Sequence, residues 1–314
     1  MLKIRRFMKG VDEPIWVGIL SESRKNRADW RSITAEEMLR QEQENPSFDP
    51  EGRFVAELEQ RPVGVVHANV EKLREERTGF VRLDVIPESR GRGIERQLVE
   101  TALKELKARG MAIAQASVDS GELDYVRLLQ ELKFEQVRVM SFMEMELANF
   151  PQGIGADRQI SIKALRKDRE EDMKLWTWLL NETFREHFNF RPNTLEEMRH
   201  FLLSDLYYNK DKQVFFAVLD NETVGHIGVG IDEKYNLEKH VEAGDIFTIG
   251  VLKKHRRRGI GARLMLHSLE ALQAKGMTKA TLGVDNYNPT EAMRLYEKVG
   301  FKVKKKDLVF ERGL

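Results

Sequence analysis

The amino-acid sequence contains two related copies of one pattern. Val85–Ile94 (VIPESRGRGI) resembles Val251–Ile260 (VLKKHRRRGI), which lies 166 residues later. Upstream, Phe54–Gly64 matches Phe215–Gly225 at an offset of 161 residues. Two copies of this size predict tandem domains rather than a solenoid, and 314 residues are enough for two separate cores.

Both copies predict the same order of elements. A strand and a charged helical stretch precede a strand–turn–strand, a further strand, a glycine-marked turn, a helix with apolar spacing and later strands. We therefore expect two α/β (α+β) folds, each with a mixed, mostly antiparallel sheet flanked by helices. The predicted domains are residues 1–150 and 157–314, with a linker at Asn149–Gly155, where proline and glycine are frequent.

Composition excludes several classes of function. The chain has no cysteine, which rules out disulfides, thiolate metal sites and a cysteine nucleophile. A net charge of +1 gives no general attraction to nucleic acid or membranes. No apolar run approaches the ~20 residues of a membrane span, and the first residues lack the apolar core of a signal peptide, so we expect a cytoplasmic protein. His67 and His226 lack partners at ligand spacing, so no metal is expected.

The turn after the second copy's central strand has the features of an anion site. Arg256-Arg257-Arg258-Gly259-Ile260-Gly261-Ala262 opens a helix, and glycines let a ligand approach the backbone closely. The first turn of a helix offers unpaired N–H groups and the positive end of the helix dipole, which suit a pyrophosphate. A solvent-exposed basic turn that caps a helix is the alternative.

This turn, followed by a strand and by NPTEAMRLYEKVGF (residues 288–301), resembles the GNAT superfamily of N-acetyltransferases. The resemblance covers nearly the whole chain, and the tandem layout is similar to that of the mycothiol synthase group. It implies that acetyl-CoA is the co-substrate, bound by strand, turn and helix start. The implied binding residues are Ile249, Gly250, Val251, Arg256, Arg257, Arg258, Gly259, Ile260, Gly261, Ala262 and Asn288.

Two residues of the 288–301 segment have a structural and a functional interpretation. Asn288, followed by a proline and by Glu291, is a favourable N-cap, and the resemblance adds a contact to the pantetheine arm. Tyr296 suits packing on a helix, and the resemblance makes it the acid that protonates the coenzyme A thiolate. A phenol can donate to a thiolate with only a small uphill step.

An ammonium acceptor must lose a proton before it attacks a thioester. By resemblance Asp245 is the predicted base and Glu242 the second candidate, while a solvent-facing strand charge remains the alternative for Asp245. Because the chain has no cysteine, we expect direct attack in a ternary complex. His187 lies in an aromatic segment (Phe184–Phe190) and is either a packing residue or part of the acceptor mouth.

The first copy departs from the pattern at the positions that matter. Glu95 stands where the second copy has Gly261, Leu129 replaces Tyr296, and Lys133 replaces Gly300. A carboxylate at the closest phosphate approach would repel the ligand. We therefore expect the catalytic site in the second copy. The first copy either holds coenzyme A unproductively or has a structural role, which we favour.

The expected function is acetyl transfer to a primary amine, carried by a small molecule or a peptide, in a monomer or homodimer. A non-catalytic acyl-CoA sensor and a peptide or protein N-acetyltransferase are the alternatives. Retention of Tyr296 favours an enzyme. The sequence does not specify the acceptor.

Overall fold

The computed structural model describes residues 1–71, 73–150, 159–205, 211–288 and 290–314. The chain forms two compact units. Unit 1 contains Met1–Val139 together with Asp307–Leu314, and unit 2 contains Met140–Lys306. Each unit is a sheet flanked by helices, which confirms the predicted fold class of two α/β copies.

Unit 1 has a sheet in the order β1-β2-β3-β4-β5, completed by part of β12. Only the β4–β5 pair is parallel. The helix α3 packs on this sheet so closely that a Cβ at Gly79 would meet the Leu106 side chain at 2.3 Å. The elements are β1 (Leu2–Arg6), α1 (Glu13–Arg24), α2 (Ala35–Glu44), β2 (Arg53–Leu58), β3 (Arg61–Val70), β4 (Thr78–Val85), α3 (Ile94–Ala108), β5 (Ile113–Asp119) and α4 (Leu123–Glu131).

Unit 2 repeats this plan with the order β7-β8-β9-β10-β11-β6, and only β10–β11 is parallel. The helices α8 and α9 cover one face of the sheet, and α5 and α6 pack on the other. The elements are β6 (Glu135–Glu146), β7 (Ser161–Ala164), α5 (Glu170–Phe184), α6 (Leu195–Leu203), β8 (Gln213–Leu219), β9 (Glu222–Gly230), α7 (Glu233–Lys239), β10 (Ala243–Val251), α8 (Ile260–Ala274), β11 (Lys279–Asp285), α9 (Ala292–Val299) and β12 (Lys302–Gly313).

Each unit takes its last strand from the other half of the sequence. Met140–Glu146 of β6 pairs with β11 in unit 2, and Asp307–Gly313 of β12 pairs with β5 in unit 1. The division at residues 150 and 157 remains a prediction for the duplicated sequences, but the compact units cross it. Most of the predicted linker, residues 151–155, lies outside the described residues.

The start of α9 differs from the expectation. Asn288 was predicted as the N-cap, but the N-cap is Glu291, in a left-handed conformation (φ 54°), and the helix begins at Ala292. Asn288 instead accepts hydrogen bonds at its Oδ1 from the amide and the hydroxyl of Thr290, at 2.8 and 2.6 Å. The amide oxygen thus closes a tight local turn, an arrangement that competes with helix capping for Asn.

Within the described ranges, no helix is long and apolar enough to cross a membrane. Nor does that part of the chain contain a group of three or more His, Asp or Glu residues that could hold a metal ion.

Candidate active site

The two central strands of unit 2 separate. β10 pairs with β11 from Ala243 to Ile246, opposite Lys279 to Leu282, and the described register between them ends there. Both strands nevertheless continue, β10 to Val251 and β11 to Asp285. One backbone edge of β10 is therefore open beyond Ile246, and such an edge can hydrogen-bond an extended ligand as if it were an added strand.

A β-bulge marks the point of separation. The β9–β10 register shifts between Ile246 and Thr248, which leaves Phe247 as the extra residue. A Cβ at Gly244 would meet Leu272 of α8, yet a Cβ at Gly250 would meet Thr183 of α5. Residues six apart on a regular strand share a face, so the bulge has reversed the alternation. Ile249 and Val251 then pack beside α8, against the cluster that contains Tyr296.

The turn after β10 presents unpaired backbone amides. Gly259 is the N-cap of α8 in the left-handed conformation, with φ 79°. The first α8 amide that bonds to a backbone carbonyl is that of Arg263, which donates to Gly259 at 3.0 Å. The amides of Ile260, Gly261 and Ala262 precede it, so they have no carbonyl one turn back within the helix. The helix dipole makes this end attractive to an anion.

Each of the three arginine side chains of the turn has a contact within unit 2. Arg256 donates from Nε to the Val251 carbonyl at 3.1 Å and from Nη2 to the Thr183 carbonyl at 3.4 Å, so it ties the turn to α5. Arg257 has φ 64° and donates to Glu291 at 3.0 Å, which links the turn to the start of α9. Arg258 contacts His255 at 3.4 Å. Arg257 and Arg258 are nevertheless exposed, so their guanidinium groups and the backbone amides of this segment are both accessible to a ligand.

Gly261 is a contact point between two helices. A Cβ there would lie 3.3 Å from Leu295 of α9, tighter than an ordinary contact. The residue thus allows α9 to approach the start of α8, in addition to leaving the first helical turn without a side chain.

Asp245 is half-buried on β10, one residue before the end of the β10–β11 ladder. The hydroxyl of Thr281, its register partner on β11, donates to Asp245 Oδ1 at 2.8 Å. Glu242, the second candidate base, is exposed before the start of β10, and its carbonyl accepts from the amides of residues 278 and 279. Asp245 lies three residues, about 10 Å of strand, nearer than Glu242 to the point where β10 and β11 separate, so Asp245 is the better placed of the two candidate bases.

Tyr296 lies on α9 and is 5% exposed. Its ring packs edge-on against Phe301, with 6.3 Å between centroids. Burial raises the pKa of the Tyr296 phenol above its ordinary value, so the group stays protonated at neutral pH. No residue in the described part of the chain hydrogen-bonds the hydroxyl, which therefore retains its proton for an external acceptor.

His187 follows α5 and is half-buried against Phe184, with 4.5 Å between ring centroids. Burial lowers its pKa, the positive charge of Arg256 lowers it further, and the negative charge of Asp285 opposes the change. Arg256 follows β10 and Asp285 ends β11. The imidazole is therefore near the ends of both separated strands, consistent with either of its predicted roles.

His226 is fully buried beneath α5. Its Nε2 lies 3.1 Å from the Thr183 hydroxyl, which itself donates to the Leu179 carbonyl, so Nε2 carries the proton. Burial lowers the pKa of His226 to about 3. A Cβ at Gly250 would be 2.7 Å from Nε2, so glycine at that position is required by packing.

Sequence reasoning missed Thr281 and the bulge at Phe247. A threonine on a strand is common, and its position opposite Asp245 depends on a register between strands that are distant in sequence. Asn288, by contrast, was singled out, and it lies half-buried in the turn between β11 and α9.

Unit 1 lacks several of these features. The described β3–β4 register is continuous from Val70 to Gly64, with no bulge like that of β10. Leu129 is fully buried at the position of Tyr296 and offers no proton. Lys133 adopts φ 65° where Gly300 has φ 119°, so the helix ends alike without glycine.

Comparison with known proteins agrees with this geometry. The model of the acetyltransferase (GNAT) family matches residues 20–134 and again residues 173–301. A mycothiol acetyltransferase of Acidothermus cellulolyticus is 27% identical over 239 residues, which cover 74% of this chain and 70% of that protein.

Two solved structures share the fold. A GCN5-related N-acetyltransferase of Sphaerobacter thermophilus matches with a TM-score of 0.73 and 20% identity, over 99% of this chain and 95% of that one. A tandem GNAT protein from the clavulanic acid biosynthesis pathway also has a TM-score of 0.73, with 14% identity, over 100% and 98% of the two chains. At such identities the likeness concerns the fold.

Proposed function

The chain belongs to the GNAT family of acetyltransferases, and on that basis we propose that unit 2 transfers an acetyl group from acetyl-CoA to a primary amine. The relatives named mycothiol acetyltransferases support a small-molecule acceptor. The proposal is that the acyl group is acetyl, that the acceptor is an amine, and that the amine attacks the thioester directly.

The observation that carries the proposal is the open edge of β10 leading directly into the amide-rich start of α8. The edge at Ile249–Val251 suits the amides of a pantetheine arm, and the amides of Gly259–Ala262 suit a diphosphate. The residues present therefore fit coenzyme A. When bound, acetyl-CoA supplies the activated acyl group as a thioester.

Two residues of the chain would then transfer protons. Asp245, held by Thr281, accepts a proton from the ammonium acceptor, which costs on the order of 4–5 kcal/mol to deprotonate at pH 7. Tyr296, kept protonated by burial, donates a proton to the departing sulfur. With no cysteine in the chain, the amine attacks the thioester directly.

The test is to incubate the protein with acetyl-CoA and a panel of amines and to follow free thiol. Tyr296→Phe should lower kcat by about 10²- to 10⁴-fold, the usual contribution of a positioned acid, and should leave the Kd for coenzyme A unchanged. Asp245→Asn should also lower kcat at neutral pH.

The alternatives predict different results. Coenzyme A binding without turnover on any amine would favour the non-catalytic acyl-CoA sensor. Turnover on peptides but not on small amines would favour a peptide N-acetyltransferase. Failure to bind coenzyme A would remove the basis of the proposal.

A further inference from the structure

Thr248 lies where the open part of β10 begins. The described pairing of β10 with β11 ends at Ile246, and Thr248 is the first residue after the bulge at Phe247. Residues two apart on a regular strand share a face, so Thr248 shares the face of Gly250, which is covered by α5. The Thr248 side chain is therefore on the face opposite α8 and beside the open edge.

The hydroxyl of Thr248 is buried without a partner. The residue is 9% exposed, and its Oγ1 has no hydrogen-bond partner among the described residues. Most buried polar side-chain atoms in proteins are hydrogen-bonded. An unpaired one lowers stability, because it loses its hydrogen bonds to water and gains none within the protein. Packing alone would therefore favour valine here, which has nearly the same shape and no hydroxyl.

The positions next to Thr248 on this face supply no partner. Its register partner on β9 is Gly228, and a Cβ at residue 228 would lie 2.2 Å from the ring of Phe247, which occupies that space. Two residues further along β10, a Cβ at Gly250 would lie 2.3 Å from the Thr183 hydroxyl. Within the sheet, the direction that remains is toward β11, from which β10 has separated.

A coenzyme that binds as proposed would bring its acyl group to this point. The proposed diphosphate site is the start of α8, which follows the C-terminal end of β10. A pantetheine arm that pairs with the open edge would run from Val251 back toward Ile246. The thioester is at the far end of that arm, so it would lie beside the bulge and Thr248.

We propose that the Thr248 hydroxyl donates a hydrogen bond to the acyl carbonyl oxygen of the bound thioester, which makes Thr248 a catalytic residue. The proposal rests on the proposed function, because acetyl-CoA is taken there as the co-substrate. A carbonyl oxygen accepts hydrogen bonds and donates none, so it supplies the partner that the hydroxyl lacks. Thr248 then stabilises the negative charge that develops on this oxygen as the amine attacks, and a donor already in position does so without reorganisation.

The first measurement is the carbonyl stretching frequency of bound acetyl-CoA, isotopically labelled at the acetyl carbonyl carbon, by infrared difference spectroscopy. A hydrogen bond to the carbonyl lowers this frequency, so it should be higher in Thr248→Val than in the natural protein. Thr248→Ser keeps a hydroxyl and should retain the lower frequency. In Thr248→Val the Kd for acetyl-CoA should rise about twofold to tenfold, as for one neutral hydrogen bond, and the Kd for free coenzyme A should not change.

The turnover of Thr248→Val on amines should fall about 10²- to 10³-fold, the usual loss when one such donor is removed. Tyr125→Phe is a matched control for this loss and for the carbonyl frequency. It also removes a buried hydroxyl that has no partner among the described residues, but the residue belongs to unit 1. Both quantities should stay at their natural values in Tyr125→Phe.

The second measurement is the thermal unfolding of unit 2 in the free protein. Thr248→Val should raise the Tm by about 2–6 °C, because it removes an unpaired buried hydroxyl. Thr177→Val is the matched control. The Thr177 hydroxyl is also buried, but it donates to the Met173 carbonyl at 2.8 Å, so its removal should not raise the Tm.

Bound acetyl-CoA with the same carbonyl frequency in the natural protein and in Thr248→Val would overturn this inference alone. A fall in Tm for Thr248→Val would do so as well, because the hydroxyl would then have a partner within the protein. A frequency that depends on Thr248, without turnover on any amine, would support the inference and count against the proposed function. Failure to bind acetyl-CoA would overturn both.

Discussion

In unit 1 the carboxylate of Glu95 accepts a hydrogen bond from the backbone amide of Gly91 at 3.0 Å. Gly91 lies in the turn that corresponds to the Arg256–Ala262 segment, and Glu95 stands at the position of Gly261. An anion that belongs to the protein thus engages the turn at which an external phosphate would bind. In the first copy we therefore expect Glu95 to repel a phosphate and also to occupy the Gly91 amide as a hydrogen-bond acceptor.

This contact predicts one coenzyme A site per chain. Titration calorimetry should give a stoichiometry near one for the natural protein. Glu95→Ala should add weak binding at a second site, because it removes both the charge and the competing acceptor. Glu100→Ala, at an exposed glutamate of the same helix, should have no such effect. Two sites in the natural protein would contradict the prediction.

The buried phenol of Tyr296 predicts a particular pH profile. Because burial raises its pKa, Tyr296 should remain a proton donor beyond pH 10, where an exposed tyrosine has already ionised by half. The rate should rise as the acceptor amine loses its proton and should not fall near pH 10. A decline of kcat with a midpoint at or below pH 10, absent in Tyr296→Phe, would show that the phenol is not shielded in this way.

His226 predicts a loss of stability in mild acid. Its folded pKa of about 3 lies below the ordinary 6.5, so the folded state binds the proton more weakly than the unfolded state. Stability from this residue is complete above pH 6.5 and falls as the pH drops toward 3. Between pH 6.5 and 4.5 it should amount to about 2–3 kcal/mol.

The measurement is urea unfolding of unit 2 at pH 7.5 and 4.5, monitored through the hydrogen exchange of the β9 amides. His226→Asn should be less stable at pH 7.5 but should lose less stability on acidification. His67→Asn is the matched control, since His67 is a buried histidine of unit 1 whose pKa burial lowers to about 4. An equal acid response in natural and His226→Asn unit 2 would refute the assignment.

The exchanged strand β12 predicts that a residue late in the sequence stabilises unit 1. Phe310 is 1% exposed in the unit 1 core, so Phe310→Ala should cost about 3–5 kcal/mol. Proteolysis of unit 1 should accelerate, whereas Val303→Ala, at a 39% exposed residue of the same strand, should leave it unchanged. If unit 1 with Phe310→Ala resisted proteolysis as well as the natural protein does, Phe310 would not have this stabilising role.

Much of the fold could be predicted because it is encoded locally. The repeated offsets, the alternating apolar residues and the glycines after β4 and β10 predicted two α/β copies, which the structure confirms, and a turn that is proposed to bind an anion. The difference between Glu95 and Gly261 predicted which copy would bind a phosphate. Apart from the comparison of the two copies, these signals lie within a few adjacent residues of one strand, turn or helix.

The remainder depends on contacts between distant residues. The bulge at Phe247 lies in the register between β9 and β10, and β6 and β12 each pair with a strand that is distant in the sequence. At α9, Asn288 has an equally good local use for its side chain in the turn with Thr290. The sequence favours Asn288 as the N-cap of α9, whereas in the structure the N-cap is Glu291.

The exchange of strands also has a consequence for biosynthesis. Ile113 of β5 pairs with Gly313 of β12, a separation of 200 residues. During translation the first copy is therefore synthesised long before β12, the last strand of its sheet. The edge of β5 stays unpaired until the rest of unit 2 has been synthesised. Such distant pairings slow folding and expose an unpaired edge. We therefore expect folding of the first half of the chain to depend more on chaperones than folding of the second half.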